Sequence, residues 1–210
     1  MGQHWQIINI DKRENLGNWG NLDEFFTAPN HSGDLISLLA DPSRWAGCRI
    51  MCIGGGTKKC PPGVLTSEEL AEIEKFPTTR RYGKTLYTLA AGYYKEARPW
   101  PRRSSRGTVL RNLTKRVYVR GDVVMEELGL WTGDMSNVLL ANICWSDDSS
   151  CAMAVDMTRG AWAGDRLDVV PLSVVENDEE EWEDVTEDQT AGLRKKFYYP
   201  TVTPRLTTHP

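Results

Sequence analysis

Hydrophobic and polar positions change period several times along the chain, and each change marks an element. Residues 5–10, WQIINI, are a short β-branched apolar run followed by Asp11-Lys12-Arg13-Glu14, which predicts a buried strand and a charged turn. Leu35, Leu38 and Leu39 fall on one face of a helix over residues 34–40. Ser32 or Asp34 is placed to cap it, and Asp41-Pro42 to end it. Residues 45–53 predict a strand closed by Gly54-Gly55-Gly56. Residues 65–76, LTSEELAEIEKF, predict a helix opened by a Thr66/Glu69 capping box, with Leu70 and Ile73 buried. A second helix is expected over residues 84–96, with Leu86, Leu89, Ala90 and Tyr93 on its inner face. Residues 97–107 have little to bury and read as an exposed loop. Strands are expected again at 117–119 and 162–170, with helical segments at 122–128 and 138–145. Thr186-Glu187-Asp188-Gln189 reads as a capping box for a last helix that turns Leu193 and Phe197 inward.

The pattern also repeats. Trp45, Ala46, Gly47 and Arg49 recur at one offset as Trp162, Ala163, Gly164 and Arg166. Asn9, Lys12 and Arg13 recur as Asn112, Lys115 and Arg116. An apolar patch at 22–26 answers 122–128, and Gly33-Asp34 answers Gly133-Asp134, each before a helix. Four blocks in one order predict an internal duplication, with repeats at about 5–54 and 110–171. Residues 57–109 have no counterpart and read as a helical insertion. The expected fold is therefore α+β, a pseudo-twofold mixed sheet with flanking helices. It forms a single globular domain over residues 1–199, with a C-terminal helix at 186–197 and a loose tail at 200–210.

Composition narrows the classes. At 210 residues and 40% apolar content, the chain can bury a core without staples. The opening residues lack a basic-then-apolar leader and no run is long enough to span a bilayer, so a cytoplasmic protein is expected. Cys48, Cys52, Cys60, Cys144 and Cys151 have no zinc spacing, and the three histidines are scattered. Reduced thiols, no metal and no cofactor are expected. The net charge of −4 hides an asymmetry: residues 80–120 hold twelve Lys and Arg against Glu96 alone, while residues 176–188 hold nine acids. Such a division suits partner docking, or mutual neutralisation within the fold.

The opening MGQHWQIINIDKRENLGNWG, with the later RNLTKRVYVRGD, ICWSDD, WAGDR and WEDV segments, resembles a family of small intracellular proteins of mushroom-forming fungi. The likeness covers most of the chain and is weakest over residues 57–109. It implies an intracellular protein and carries no catalytic residue across. Two departures stand out. Cys48 occupies a position where the family usually has an Asp, as at Asp165, and Gly55-Gly56 replaces a usual acidic position.

The repeated polar residues are the first candidate site: Lys12, Arg13, Asp34 and Arg49, with Lys115, Arg116, Asp134, Asp165 and Arg166. Facing each other across a twofold joint they would suit an anionic ligand. They suit equally Arg–Trp stacking, or Arg49–Asp34 and Arg166–Asp134 pairs that lock strand to helix. IGGGTKK, residues 53–59, has glycines and lysines able to cradle a phosphate but no P-loop spacing. Tyr and Arg interleave over residues 80–106, as in single-strand nucleic-acid binders, although a pI near 5.5 weighs against that partner. No Ser/His/Asp or Cys/His arrangement can be assembled, and Asp168 is expected to face outward. Two functions follow. The first is a non-enzymatic intracellular binding protein, docking a protein or small anionic partner on its basic insertion or acidic C-terminal part. The alternative is an enzyme or anionic-ligand binder using the Arg/Asp/Trp cluster between the repeats.

Overall fold

A computed structural model describes residues 3–17, 22, 29–77, 83–98, 106–128, 135–148 and 158–197. Among them one mixed sheet contains nine strands: β1 (Trp5–Asn9), β2 (Glu14–Asn15), β3 (Cys48–Gly54), β4 (Lys95–Glu96), β5 (Thr108–Asn112), β6 (Val117–Arg120), β7 (Cys144–Trp145), β8 (Arg166–Pro171) and β9 (Glu183–Asp184). Their order is β4-β2-β1-β3-β8-β5-β6-β9, and β7 pairs with β3 through Cys52 and Ile53.

The central strands share their registers. Asn9 lies opposite Ile50 across β1 and β3, and Asn112 opposite Leu167 across β5 and β8. Ile8 lies opposite Asn15 across β1 and β2, and Arg111 opposite Tyr118 across β5 and β6. The outer strands β4 and β9 each add in parallel, to β2 and β6. At the centre β3 and β8 run antiparallel, with Arg49 opposite Arg166. The tight turns agree as well. Arg13 and Arg116 take φ of 53° and 58°, and Gly47 and Gly164 take 75° and 85°. The left-handed region costs a side chain roughly 1–2 kcal/mol, which is why glycine stands at the second pair. Trp-Ala-Gly therefore forms the turn before each strand, and the strands begin at Cys48 and Arg166 rather than at the tryptophans.

Seven helices have described bounds: α1 (Pro29–Leu39), α2 (Ser67–Lys75), α3 (Leu86–Tyr93), α4 (Gly121–Leu128), α5 (Met135–Ile143), α6 (Leu172–Glu176) and α7 (Thr186–Phe197). Pro29 opens α1, so Asp34 sits in mid-helix and caps nothing. The Thr66/Glu69 box opens α2 as the sequence predicts, but only Ile73 of the expected pair is buried; Leu70 is 52% exposed. A Thr85/Thr88 box opens α3, which stops at Tyr93 because Lys95 and Glu96 leave to pair with β2. Leu86, Leu89 and Ala90 are buried, whereas Tyr93 stands 64% exposed. The segment expected to stay helical to residue 145 ends at Ile143, and Cys144-Trp145 becomes β7. Thr186 lies inside α7, its hydroxyl bonded to Asp184, so Asp184 supplies the cap. Leu193 is buried as expected, and the Phe197 side chain lies outside the described residues, like residues 200–210.

The sheet has two covered faces. Ile7, Ile50, Cys52, Leu110, Leu167 and Val169 point into the main core, against Leu35, Leu38, Leu39, Val124, Leu139 and Leu193 of α1, α4, α5 and α7. On the other face Ile8, Ile10, Met51 and Ile53 meet Ile73, Leu86, Leu89 and Ala90 of α2 and α3. Gln6 Nε2 donates to Tyr87 O (2.7 Å), pinning α3 to β1. The register positions matching Ile8 and Met51 in the second group of strands are Arg111 and Asp168, joined by a two-pronged ion pair at 2.7 and 2.9 Å. Asp168 is thus buried rather than outward-facing. Arg111 also lies 4.8 Å over the Trp182 ring.

Candidate functional site

Most of the repeated polar residues are engaged in internal pairs. Arg49 projects from β3 onto the insertion side of the sheet. Its Nε donates to Asp11 (2.7 Å), and its terminal nitrogens reach Glu69 (2.7 Å) and Val64 O (2.6 Å). Arg166 crosses from β8 to the same Asp11 (2.9 Å) and to Gly47 O (2.9 Å). One carboxylate therefore holds both central arginines. Burial works against the charged form of Asp11, but hydrogen bonds from Arg49 and the positive charges of Arg49 and Arg166 outweigh it and hold the carboxyl below its ordinary value. Glu69 is lowered in the same way by Arg49 and the Thr66 backbone, against burial. Bonding to Glu69 raises the Arg49 pKa further.

The other candidates divide. Lys115 pairs with Asp165 at 2.6 Å, and Asn112 Nδ2 donates to the same oxygen at 2.7 Å. In the first group Cys48 stands at that position. Asn9 Nδ2 is accordingly buried with no acceptor among the described residues, and Lys12 Nζ turns to Ser43 O (2.8 Å). Arg13 pairs with Glu72 and Arg116 with Glu180, both near the surface. Asp34 is half-buried in α1 away from this joint, and Asp134 lies outside the described residues. Neither arginine stacks on the Trp of its motif: Trp45 is fully buried and donates to Glu14 (2.6 Å).

The structure brings Arg49 and Arg166 together on Asp11, then, and sends Lys12, Arg13 and Arg116 to separate partners. Asp11 and Glu69 are members of the cluster that the repeat alone could not reveal. Asp11 is aligned with Thr114, whose hydroxyl accepts from Arg166 N (2.9 Å) just as Asp11 accepts from Arg49 N (2.9 Å). The two residues share a backbone role but not a side-chain type.

The glycine-rich loop has an anion already in place. The backbone amides of Lys58 and Lys59 donate to the Asp147 carboxylate at 2.6 and 3.2 Å. A phosphate there would compete with the chain's own aspartate. The same two residues line an open groove of about 460 Å³. Among the described residues, Leu65, Leu70, Ile73 and Leu86 supply its apolar wall, and Lys58, Lys59 and Lys84 its charge, with Glu74 the lone acid of the lining. None of these three ammoniums has a carboxylate within ion-pair distance among the described residues; Lys84 bonds the Glu74 carbonyl. Cys60 lines the same groove, and burial together with Asp147 and Glu69 pushes its thiol up to about 12, so it stays protonated near neutrality.

Among the described residues no group of three or more His, Cys, Asp or Glu has metal-holding geometry, and no helix is long and apolar enough to cross a membrane. No family model, curated protein or solved structure matches the chain.

Proposed function

We propose that the chain is a non-enzymatic intracellular binding protein, built on an internally duplicated scaffold and docking its partner through the insertion. Four features support duplication: the palindromic strand order, the shared registers, the paired left-handed turns, and the reciprocal amide bonds Gly47 N to Leu167 O and Gly164 N to Ile50 O, both 2.8 Å. The observation that carries the functional reading is the open groove on the insertion, whose lysines have no carboxylate in ion-pair distance among the described residues, while the repeated arginines and Lys115 are paired with acids. An anionic partner is favoured by that charge. The acidic C-terminal part is a weaker docking surface, because Asp178 and Glu180 already face Arg111 and Arg116. The competing reading, an enzyme or anion binder centred on Arg49 and Arg166, has less support, since both guanidiniums hold Asp11.

A thermal-shift panel of nucleotides, sugar phosphates, divalent metals and acidic peptides tests this. Stabilisation is expected from an anionic compound and is lost in a Lys58→Glu/Lys59→Glu/Lys84→Glu variant. Stabilisation that survives in that variant but disappears in Arg166→Gln would favour the competing reading. No shift with any compound would count against both. Binding of random-sequence RNA at low salt, where phosphate contacts are strongest, decides on nucleic acid.

A further inference from the structure

We propose that the insertion groove binds a peptide segment that alternates acidic and aliphatic side chains. This rests on the binding-protein reading above and adds the chemistry of the partner. Three observations carry it. The groove is large enough, at about 460 Å³, for several side chains rather than a single small anion. Its lining is of two kinds, an apolar wall and an ammonium rim, so a ligand that is only charged leaves the wall wet and one that is only greasy leaves the rim unpaired. Leu70 sits on that wall 52% exposed, next in α2 to Glu69, which holds Arg49.

The charge type also discriminates. Lysine ammoniums are compact point charges suited to single carboxylates, and the described lining holds no arginine fork for paired phosphate oxygens. Among the described residues the lining contains no aromatic ring on which a nucleobase could stack. The amides of Lys58 and Lys59 are held by Asp147, so the side chains, not the backbone, are left to meet the ligand. Glu74 sets a polarity: acids of the peptide lie towards Lys58, Lys59 and Lys84, and its aliphatic groups over Leu65, Leu70, Ile73 and Leu86.

Fluorescence anisotropy of labelled peptides on the full chain tests this. An acidic peptide carrying leucines is compared with the same peptide with leucines replaced by serine, and with one whose acids are replaced by glutamine. The first is expected to bind at least tenfold more tightly than either control. Leu70→Asp and the triple lysine-to-glutamate variant should each weaken it tenfold or more while keeping the wild-type circular dichroism and Tm. Leu70 is exposed and the lysines are on the surface, so these variants should fold. Equal binding of the serine peptide would overturn the aliphatic half of the proposal and leave a general anion-binding surface standing. A simple aliphatic carboxylate that binds as tightly as the peptide would overturn the peptide and leave a small-ligand pocket. If none of the peptides binds while the thermal-shift panel finds another anion, the proposal fails and the wider reading survives.

Discussion

Asn9 and Asn112 hold the same place in their strands, and one neighbour separates their fates. Asn112 gives its amide to Asp165, whereas Asn9, with Cys48 at the corresponding position, keeps a buried N–H without an acceptor among the described residues. A buried donor left unpaired costs about 1–3 kcal/mol. Cys48→Asp is therefore expected to raise stability by about 1 kcal/mol, with Lys12 leaving Ser43 O to pair with the new carboxylate as Lys115 pairs with Asp165. Asp165→Cys should cost about 2 kcal/mol, because it orphans Asn112 and frees Lys115. Urea midpoints of the two variants decide it, and a loss in both would show that Cys48 is fitted to its site by packing instead. Glycines give a second paired contrast. A Cβ at Gly47 meets only Leu113 at 3.9 Å, while at Gly164 it runs into the Val64 side chain. Gly47→Ala should cost only the left-handed penalty, about 1 kcal/mol, and Gly164→Ala visibly more by the same measurement.

Glu69 shows how one side chain can join two elements. It closes the capping box of α2 through Thr66 N (2.8 Å) and carries Arg49 of β3 (2.7 Å). Glu69→Gln keeps an oxygen for the cap and loses the charge, for an expected cost of about 1 kcal/mol. Glu69→Ala loses both and should cost about 2–3 kcal/mol. Equal costs in thermal unfolding would mean that the charge contributes nothing. By contrast the Arg13–Glu72 and Arg116–Glu180 pairs have both side chains well exposed, and removing either is expected to cost under about 1 kcal/mol. The capping box of α2 was legible in the sequence because it is local, closed within four residues. The partner of Arg49 was not, since Asp11 and Glu69 lie on segments that only the folded sheet brings together.

At the scale of the molecule, the segment between β3 and β5 is a wall of the core. It covers Ile8, Ile10, Met51 and Ile53, each worth roughly 1.5–3 kcal/mol when buried. That sum is comparable with the whole stability of a typical domain, about 5–15 kcal/mol. Replacing residues 58–106 by a short linker is expected to abolish cooperative unfolding, even though the strands retained carry most of the sheet. A sharp transition in the shortened chain would show that the insertion is dispensable. Acid response belongs to this scale too. Asp11 and Glu69 are held below their unfolded values, so their contribution is complete above the ordinary carboxylate range and lost as pH falls through the depressed folded values. Stability should be level near neutrality and fall below about pH 4. Asp11→Asn should lower the plateau and flatten that fall in urea titrations at several pH values.

What the chain determined by itself is whatever its local pattern encodes. The Thr66 cap, the strands β1, β3, β6 and β8, the buried faces at Leu35 and Leu86, and the echo of Trp-Ala-Gly-x-Arg follow from nearest-neighbour sterics and from apolar period. Tertiary structure alone decided what those residues meet. Arg49 and Arg166 share Asp11 because two antiparallel strands place them opposite each other, and no spacing in sequence records that distance. Tyr93 and Leu70 are exposed for the same reason: helical period says which side chains share a face, but only the sheet beneath says which face is covered. The Lys58–Lys59–Lys84 groove is likewise a product of folding, since it exists only where α2, the loop before it and the start of α3 close on one another.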